Sequence, residues 1–188
     1  MTDTISIAVI CGSLRQGSFN AVIARELSAL GPTGISFRPL DGMERIPHYN
    51  ADVQSEGCPA IVLDWADVIR SSDAVVFVTP EYNYSIPGVL KNALDWLSRL
   101  SPAPFAGKPI AIQTASVGML GGARAQYHLR QVLLYLDAFV LNKPEIMIAD
   151  AASKISAQGE LTDETTRRLI AEQLVALQRL IQRVAPSQ

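Results

Sequence analysis

The chain has 188 residues, 48% of them apolar and 18% charged, with a formal charge of −2. That composition suits a globular protein with a substantial core. It offers no basic face for nucleic acid, and no apolar run nears the roughly 18 residues of a membrane span. Two cysteines (Cys11, Cys58) and two histidines (His48, His128) in unrelated positions give neither a disulfide framework nor metal-ligand spacing. With Met1-Thr2-Asp3-Thr4 lacking a basic signal-like region, they point to a reducing cytoplasm and no metal.

Ile5–Cys11 is β-rich and almost wholly apolar, as a buried parallel strand is. Asn20–Leu30 is predicted as helix, with Ile23, Leu27 and Leu30 at helical spacing and Gly31-Pro32 as its stop. Ile35–Leu40 reads as a second strand, more polar and so nearer an edge. Residues 41–58 hold several turn formers and no period; such a long connection is a candidate to bring His48 and Tyr49 to a site rim. Ala60–Ser71 is a helix with Ile61, Trp65, Val68 and Ile69 on one face, and Ala74–Thr79 is a strongly apolar strand. Gly88–Leu100 places Leu90, Leu94 and Leu97 inward, with Lys91, Asp95 and Arg99 as an outer charge ladder. Trp65 and Trp96 both fall at core spacing.

Pro109–Ala115 is the fourth strand, and a helix follows through Asp137. Residues 139–148 supply a fifth strand, broken by Asn142-Lys143-Pro144. A last helix starts near Thr162, its stripe being Ile170, Leu174, Leu177, Ile181 and Val184. Five strands alternating with helices predict an α/β fold, a doubly wound five-stranded parallel sheet of order 2-1-3-4-5, as one domain over residues 1–188.

Three strand-to-helix turns carry the chemistry. In Gly12–Asn20 two glycines allow a tight fold, Ser13 and Ser18 bring hydroxyls, Asn20 an amide and Arg15 the one positive charge. Converging donors at a helix N-terminus suit a phosphate. Gly12 and Gly17 have Walker A spacing, but Ser18-Phe19 stands where Lys-Ser/Thr is required; G-x-G-x-x-G is also absent. In the second turn Pro80 and Pro87 stiffen Glu81-Tyr82-Asn83-Tyr84-Ser85-Ile86, whose backbone N–H groups and tyrosines suit a flat ring. The third, Ser116–Gly122, has glycines at 118, 121 and 122 that permit close approach. A phosphorylated planar cofactor is expected, and flavin mononucleotide (FMN) fits best.

Three stretches carry a family resemblance: Gly12-Ser13-Leu14-Arg15-x-x-Ser18-x-Asn20, Pro80-Glu81-Tyr82-Asn83-x-Ser85-x-Pro87-Gly88-x-Leu90-Lys91-Asn92-Ala93-x-Asp95-Trp96, and Gly121-Gly122-x-Arg124-Ala125-Gln126. From residue 5 to about 150 the chain resembles the NAD(P)H-dependent FMN reductases, the flavodoxin-like group that includes chromate and quinone reductases. The resemblance implies FMN with Ser13, Arg15, Ser18 and Asn20 at its phosphate and Phe19 among the cofactor-binding residues. Pro80, Glu81, Tyr82 and Asn83 would then lie beside the isoalloxazine, and Ser116 and Gly118 at its far edge.

The implied activity is hydride transfer from NADPH or NADH through FMN to quinones or similar acceptors, in a ping-pong scheme with no catalytic acid or base. Azo-compound or chromate reduction on the same cofactor, and a flavodoxin-like electron carrier, are the alternatives. A homodimer or homotetramer is also expected. The helix after the third turn carries Arg124, Tyr127, His128 and Arg130 beside Leu129, Leu133, Leu134 and Leu136, with Glu145 as an available carboxylate partner. The resemblance also implies dimers or tetramers, in which Tyr84 would reach a neighbouring subunit.

Overall fold

The computed structural model describes residues 4–185; the first and last three residues covered by the single-domain expectation lie outside it. Its strands are β1 (Ile5–Cys11), β2 (Ile35–Pro39), β3 (Ala74–Thr79), β4 (Pro109–Ala115), β5 (Phe139–Val140) and β6 (Ile146–Ile148). They form one parallel sheet in the order β2-β1-β3-β4-β5, with β6 also on β4. The expected fifth strand is thus two pieces on one edge. Phe139 and Val140 pair with Pro109 and Ile110, and Ile146–Ile148 pair with Gln113–Ala115. The interruption falls at Asn142–Pro144, where proline has no N–H to give a ladder.

The helices are α1 (Phe19–Leu30), α2 (Ala51–Glu56), α3 (Ala60–Ser71), α4 (Gly88–Leu97), α5 (Ala123–Tyr135), α6 (Ala151–Lys154) and α7 (Glu164–Val184). Every residue of β3 and β4 is buried. This is why these two strands lack polar alternation, since a parallel strand is covered on both faces. On one face α3, α4 and α5 bring Trp65, Leu90, Leu94, Leu129 and Leu133 against Ala8, Ile10, Val75 and Phe77. On the other, α1 and α7 bring Ile23, Leu27, Ile170, Leu174 and Leu177 against Ile7, Val9, Val76 and Val78. Burying a side chain such as Phe77 contributes about 1.5–3 kcal/mol. The Trp65 and Trp96 rings are buried, and both indole N–H groups are satisfied, by Asp41 O at 3.0 Å and Pro47 O at 2.8 Å.

Those two bonds pin the connection of residues 41–58, which has more structure than its sequence suggests. It holds a 3-10 turn at Met43–Arg45 and the short α2, capped by the Asn50 side chain accepting from Asp52 N at 2.9 Å. Asn92 of α4 accepts from Tyr49 N at 2.8 Å and donates to Pro47 O at 2.9 Å. The Tyr49 ring meets Trp96 edge-on at 5.2 Å, and its hydroxyl bonds Gln54 at 2.9 Å. Tyr49 is therefore held against the body of the fold. Arg99 does not complete the ladder begun by Lys91 and Asp95 (2.7 Å); its guanidinium lies over the Tyr49 ring at 5.1 Å.

Candidate active site

The strand order reverses between β1 and β3, and the loops after β1, β3 and β4 meet at that switch point. A hollow of about 180 Å³ lies among them. Of the expected site residues, Ser13, Arg15, Ser18, Phe19, Asn20, Pro80, Glu81, Tyr82 and Ser116 line it; Asn83 and Gly118 belong to the same loops but not to its wall. Ala115 and Val117 also line it. Their only signal in sequence was adjacency to Ser116. The volume is below the roughly 300–1,000 Å³ of a pocket that encloses a whole cofactor-sized ligand, so the hollow has room for only part of such a ligand. A larger cavity, about 450 Å³, lies between α1 and β2 with apolar walls of Val9, Phe37, Pro39 and Leu40 and no cluster of phosphate donors.

The first loop needs Gly12, because a Cβ there would stand 2.3 Å from Thr79 Oγ1. Ser18 caps α1, its Oγ accepting from Ala21 N at 3.3 Å, which leaves the hydroxyl proton for another partner. The N–H groups of Phe19 and Asn20, at the start of the helix, have no intrahelical acceptor. Arg15 sits over the Phe19 ring at 5.3 Å, keeping the loop's positive charge beside this terminus. Hydroxyls, free backbone donors and one guanidinium make a donor set that fits a phosphate. Asn20 is buried, with Nδ2 donating to Ala115 O and Oδ1 accepting from Ala115 N, both at 3.1 Å. Its amide thus joins the first and third loops, and its backbone N–H remains among the free donors at the helix start.

In the second loop, Tyr82 and Ser85 exchange backbone hydrogen bonds of 2.9 and 3.0 Å around Asn83 and Tyr84, whose φ angles are 49° and 69°. Two positive-φ central residues define the tight I′ type of turn, unusual for a tyrosine. The Glu81 carboxylate accepts from Arg124 N (3.0 Å), Ala125 N (3.2 Å) and Arg124 Nε (2.7 Å). Arg124 in turn covers the Tyr84 ring at 3.6 Å, and His128 Nδ1 meets Ser85 Oγ at 3.0 Å. In the third loop Ser116 Oγ accepts from Gly118 N at 3.0 Å, while Val117 and Met119 are exposed. Gly121, at φ 57°, has no room for a Cβ against the backbone of Met147–Ala149.

Cys11 ends β1 with its thiol donating to Ser13 O at 3.8 Å. Burial raises its pKa, outweighing that hydrogen bond and the nearby Arg25, so it is a protonated spacer and not a nucleophile. Among the described residues no cluster of His, Cys, Asp and Glu could hold a metal, and no helix is long and apolar enough to cross a membrane.

A family profile described as NADPH-dependent FMN reductase matches residues 5–153. The chain belongs to this family. A quinone reductase of Escherichia coli strain K12 is 51% identical over 186 residues, 98% of this chain and 99% of the relative. An NAD(P)H-dependent FMN reductase of Pseudomonas aeruginosa is 50% identical over 184 residues, again 98% and 99%. Among solved structures, the flavoenzyme NAD(P)H:(acceptor) oxidoreductase FerB of Paracoccus denitrificans superposes with a TM-score of 0.85 at 36% identity, covering 95% of this chain and 98% of its own. Membership in the FMN reductase family agrees with the parallel sheet and with a donor-rich first loop at the switch point.

Proposed function

We propose that this chain is an FMN-dependent oxidoreductase that takes hydride from NADPH or NADH and delivers it to quinones or similar small acceptors. The observation that carries the reading is the donor set around the N-terminus of α1, opening beside a fixed second loop. The names of the E. coli and P. aeruginosa relatives support it. Ser13, Arg15, Ser18, Phe19 and Asn20 would hold the phosphate. The backbone of Pro80, Glu81, Tyr82 and Asn83 would address the ring, with Ser116 and Gly118 at its far edge. When bound, the flavin supplies the two-electron chemistry. The chain's own part is to bind, orient and leave access, and no residue is assigned as acid or base. Because the site is open, nicotinamide and acceptor would use it in turn.

The whole of residues 1–188 is taken as one FMN-binding domain, supported by the single sheet. A homodimer or homotetramer belongs to the reading. Tyr127, Leu134 and Tyr135 on α5, with Phe139 beyond it, are exposed by 50%, 79%, 79% and 49%, a broad apolar surface. Two details differ from expectation: Leu129, Leu133 and Leu136 are buried in the chain's own core, and Glu145 lies 3.8 Å from Arg130 and 3.6 Å from Lys143. That carboxylate is already engaged within its own chain. A cytoplasmic setting is supported by the free thiols of Cys11 and Cys58.

The test is a visible spectrum of the purified or FMN-reconstituted protein, followed by titration with NADPH and NADH and turnover with a quinone. Bleaching of the flavin bands by either nucleotide and reoxidation by the quinone are expected. A flavin that neither nucleotide reduces would make the protein an electron carrier instead. Turnover of azo compounds or chromate without quinone would move the acceptor class.

A further inference from the structure

Glu81 lies two residues beyond β3, and its carboxylate is 9% exposed. It reaches across to α5, a helix that begins after Gly122 at φ 84° and has no capping side chain of its own. The three hydrogen bonds from Arg124 N, Ala125 N and Arg124 Nε take up both carboxylate oxygens. A carboxylate on free N–H groups at a helix start is a strong cap, since it also meets the positive end of the dipole. The residues that follow Glu81 are the ones that need holding. Asn83 and Tyr84 occupy positive φ, and two backbone bonds within the turn are their local support. Conformations of that kind persist only where surrounding structure fixes them. The stack of Arg124 on Tyr84 ties the same helix turn to the same loop a second time.

We propose that the Glu81 side chain is a positioning group that acts on the flavin through α5, its carboxylate not touching the ring. Its carboxylate clamps the second loop to the first turn of α5, which sets the direction of the Tyr82 and Asn83 backbone. The helix terminus and Arg124 also compensate its charge at the wall of a site where electrons are gained. A carboxylate there without Arg124 would oppose the build-up of negative charge on a bound ring. This inference rests on the FMN reading given above for its ligand, but the clamp itself does not.

The test uses the full chain and the variants Glu81→Ala, Glu81→Gln, Arg124→Met and Glu81→Gln with Arg124→Met. Amide hydrogen exchange at Tyr82–Ser85 is read in flavin-free protein, then FMN affinity by fluorescence quenching and the midpoint potential of the loaded protein. Glu81→Ala is expected to speed exchange in the loop and weaken FMN about tenfold. Glu81→Gln, which keeps an acceptor for the two N–H groups, should restore most of both. Arg124→Met should lower the midpoint potential, and adding Glu81→Gln should bring it back. Weakened FMN with unchanged exchange in Glu81→Ala would mean that the side chain works directly on the ring, and would overturn the proposal. Unchanged exchange and unchanged affinity together would overturn it too, as would a potential that ignores the charge at 81 once Arg124 is gone. A wild-type chain that binds no FMN would defeat the functional reading, while the exchange measurements would still decide the clamp.

Discussion

Asn20 and Ala115, 95 residues apart in the chain, are joined by two hydrogen bonds of 3.1 Å, the amide of one closing on the backbone of the other. The pair spans the start of α1 and the end of β4, so the loop after β1 and the loop after β4 are fixed to each other. Asn20→Ala removes both side-chain hydrogen bonds from the buried N–H and C=O of Ala115. The expected loss is about 2–4 kcal/mol, measured by urea denaturation of flavin-free protein. A loss no larger than that of an exposed α1 substitution such as Ser28→Ala would show that the bonds hold nothing.

Arg15 is the charged member of the donor set proposed for the phosphate, and its contribution would separate by ligand. Arg15→Ala should weaken FMN about ten- to a hundredfold, the range of one charge-assisted hydrogen bond. Riboflavin, which has no phosphate, should bind both proteins alike. Equal weakening for both ligands would move the phosphate elsewhere.

Gly12 is dictated by crowding and not by its own φ. An added Cβ meets Thr79 Oγ1 at 2.3 Å and Thr79 Cβ at 2.9 Å, and Thr79 is fully buried. Gly12→Ala should cost about 1–3 kcal/mol and disturb the first loop. Thr79→Ala in the same chain removes the nearer atom and should recover part of the loss. Additive destabilisation in the double variant would contradict this contact.

The Cys11 thiol has its pKa raised by burial above its ordinary value of 9.0. In the window between 9.0 and the higher folded value, the unfolded chain has lost the thiol proton and the folded chain keeps it. Stability is therefore fully present below pH 9.0 and falls as pH rises through that window. Cys11→Ser should flatten this alkaline decline in thermal unfolding curves taken from about pH 8 to about pH 10.5, the span over which thiols titrate. An identical slope in the variant would place the alkaline sensitivity in other groups.

The apolar surface on α5 predicts an assembly. Sedimentation at micromolar concentration should give at least twice the monomer mass, and Leu134→Glu, at a site 79% exposed in the single chain, should shift it toward monomer. A monomer that keeps full activity would remove both the interface and any part of it in the site.

The strands and their order were legible because periodicity and turn chemistry are local properties. Val75-Val76-Phe77-Val78 can only be a doubly covered strand, and glycine and serine after β1 open a helix terminus wherever the chain goes next. The parallel order follows once each strand is separated from the next by a helix. What these residues do with their side chains is a different matter, because their partners lie dozens of positions away. Nothing near Glu81 in sequence says that it caps α5, 43 residues on. Nothing near Asn20 in sequence says that its side-chain amide closes on Ala115, which leaves its backbone N–H as the donor at the helix start. The 41–58 connection shows no period because Asn92, Trp65 and Trp96 hold it through its backbone carbonyls and N–H groups, and backbone bonds impose no residue type. Arg99 and Glu145 found aromatic and basic partners that only packing brings within reach. Local pattern determined the elements and the donors; long-range hydrogen bonds, which leave no spacing signature, decided which donors remain free for a ligand.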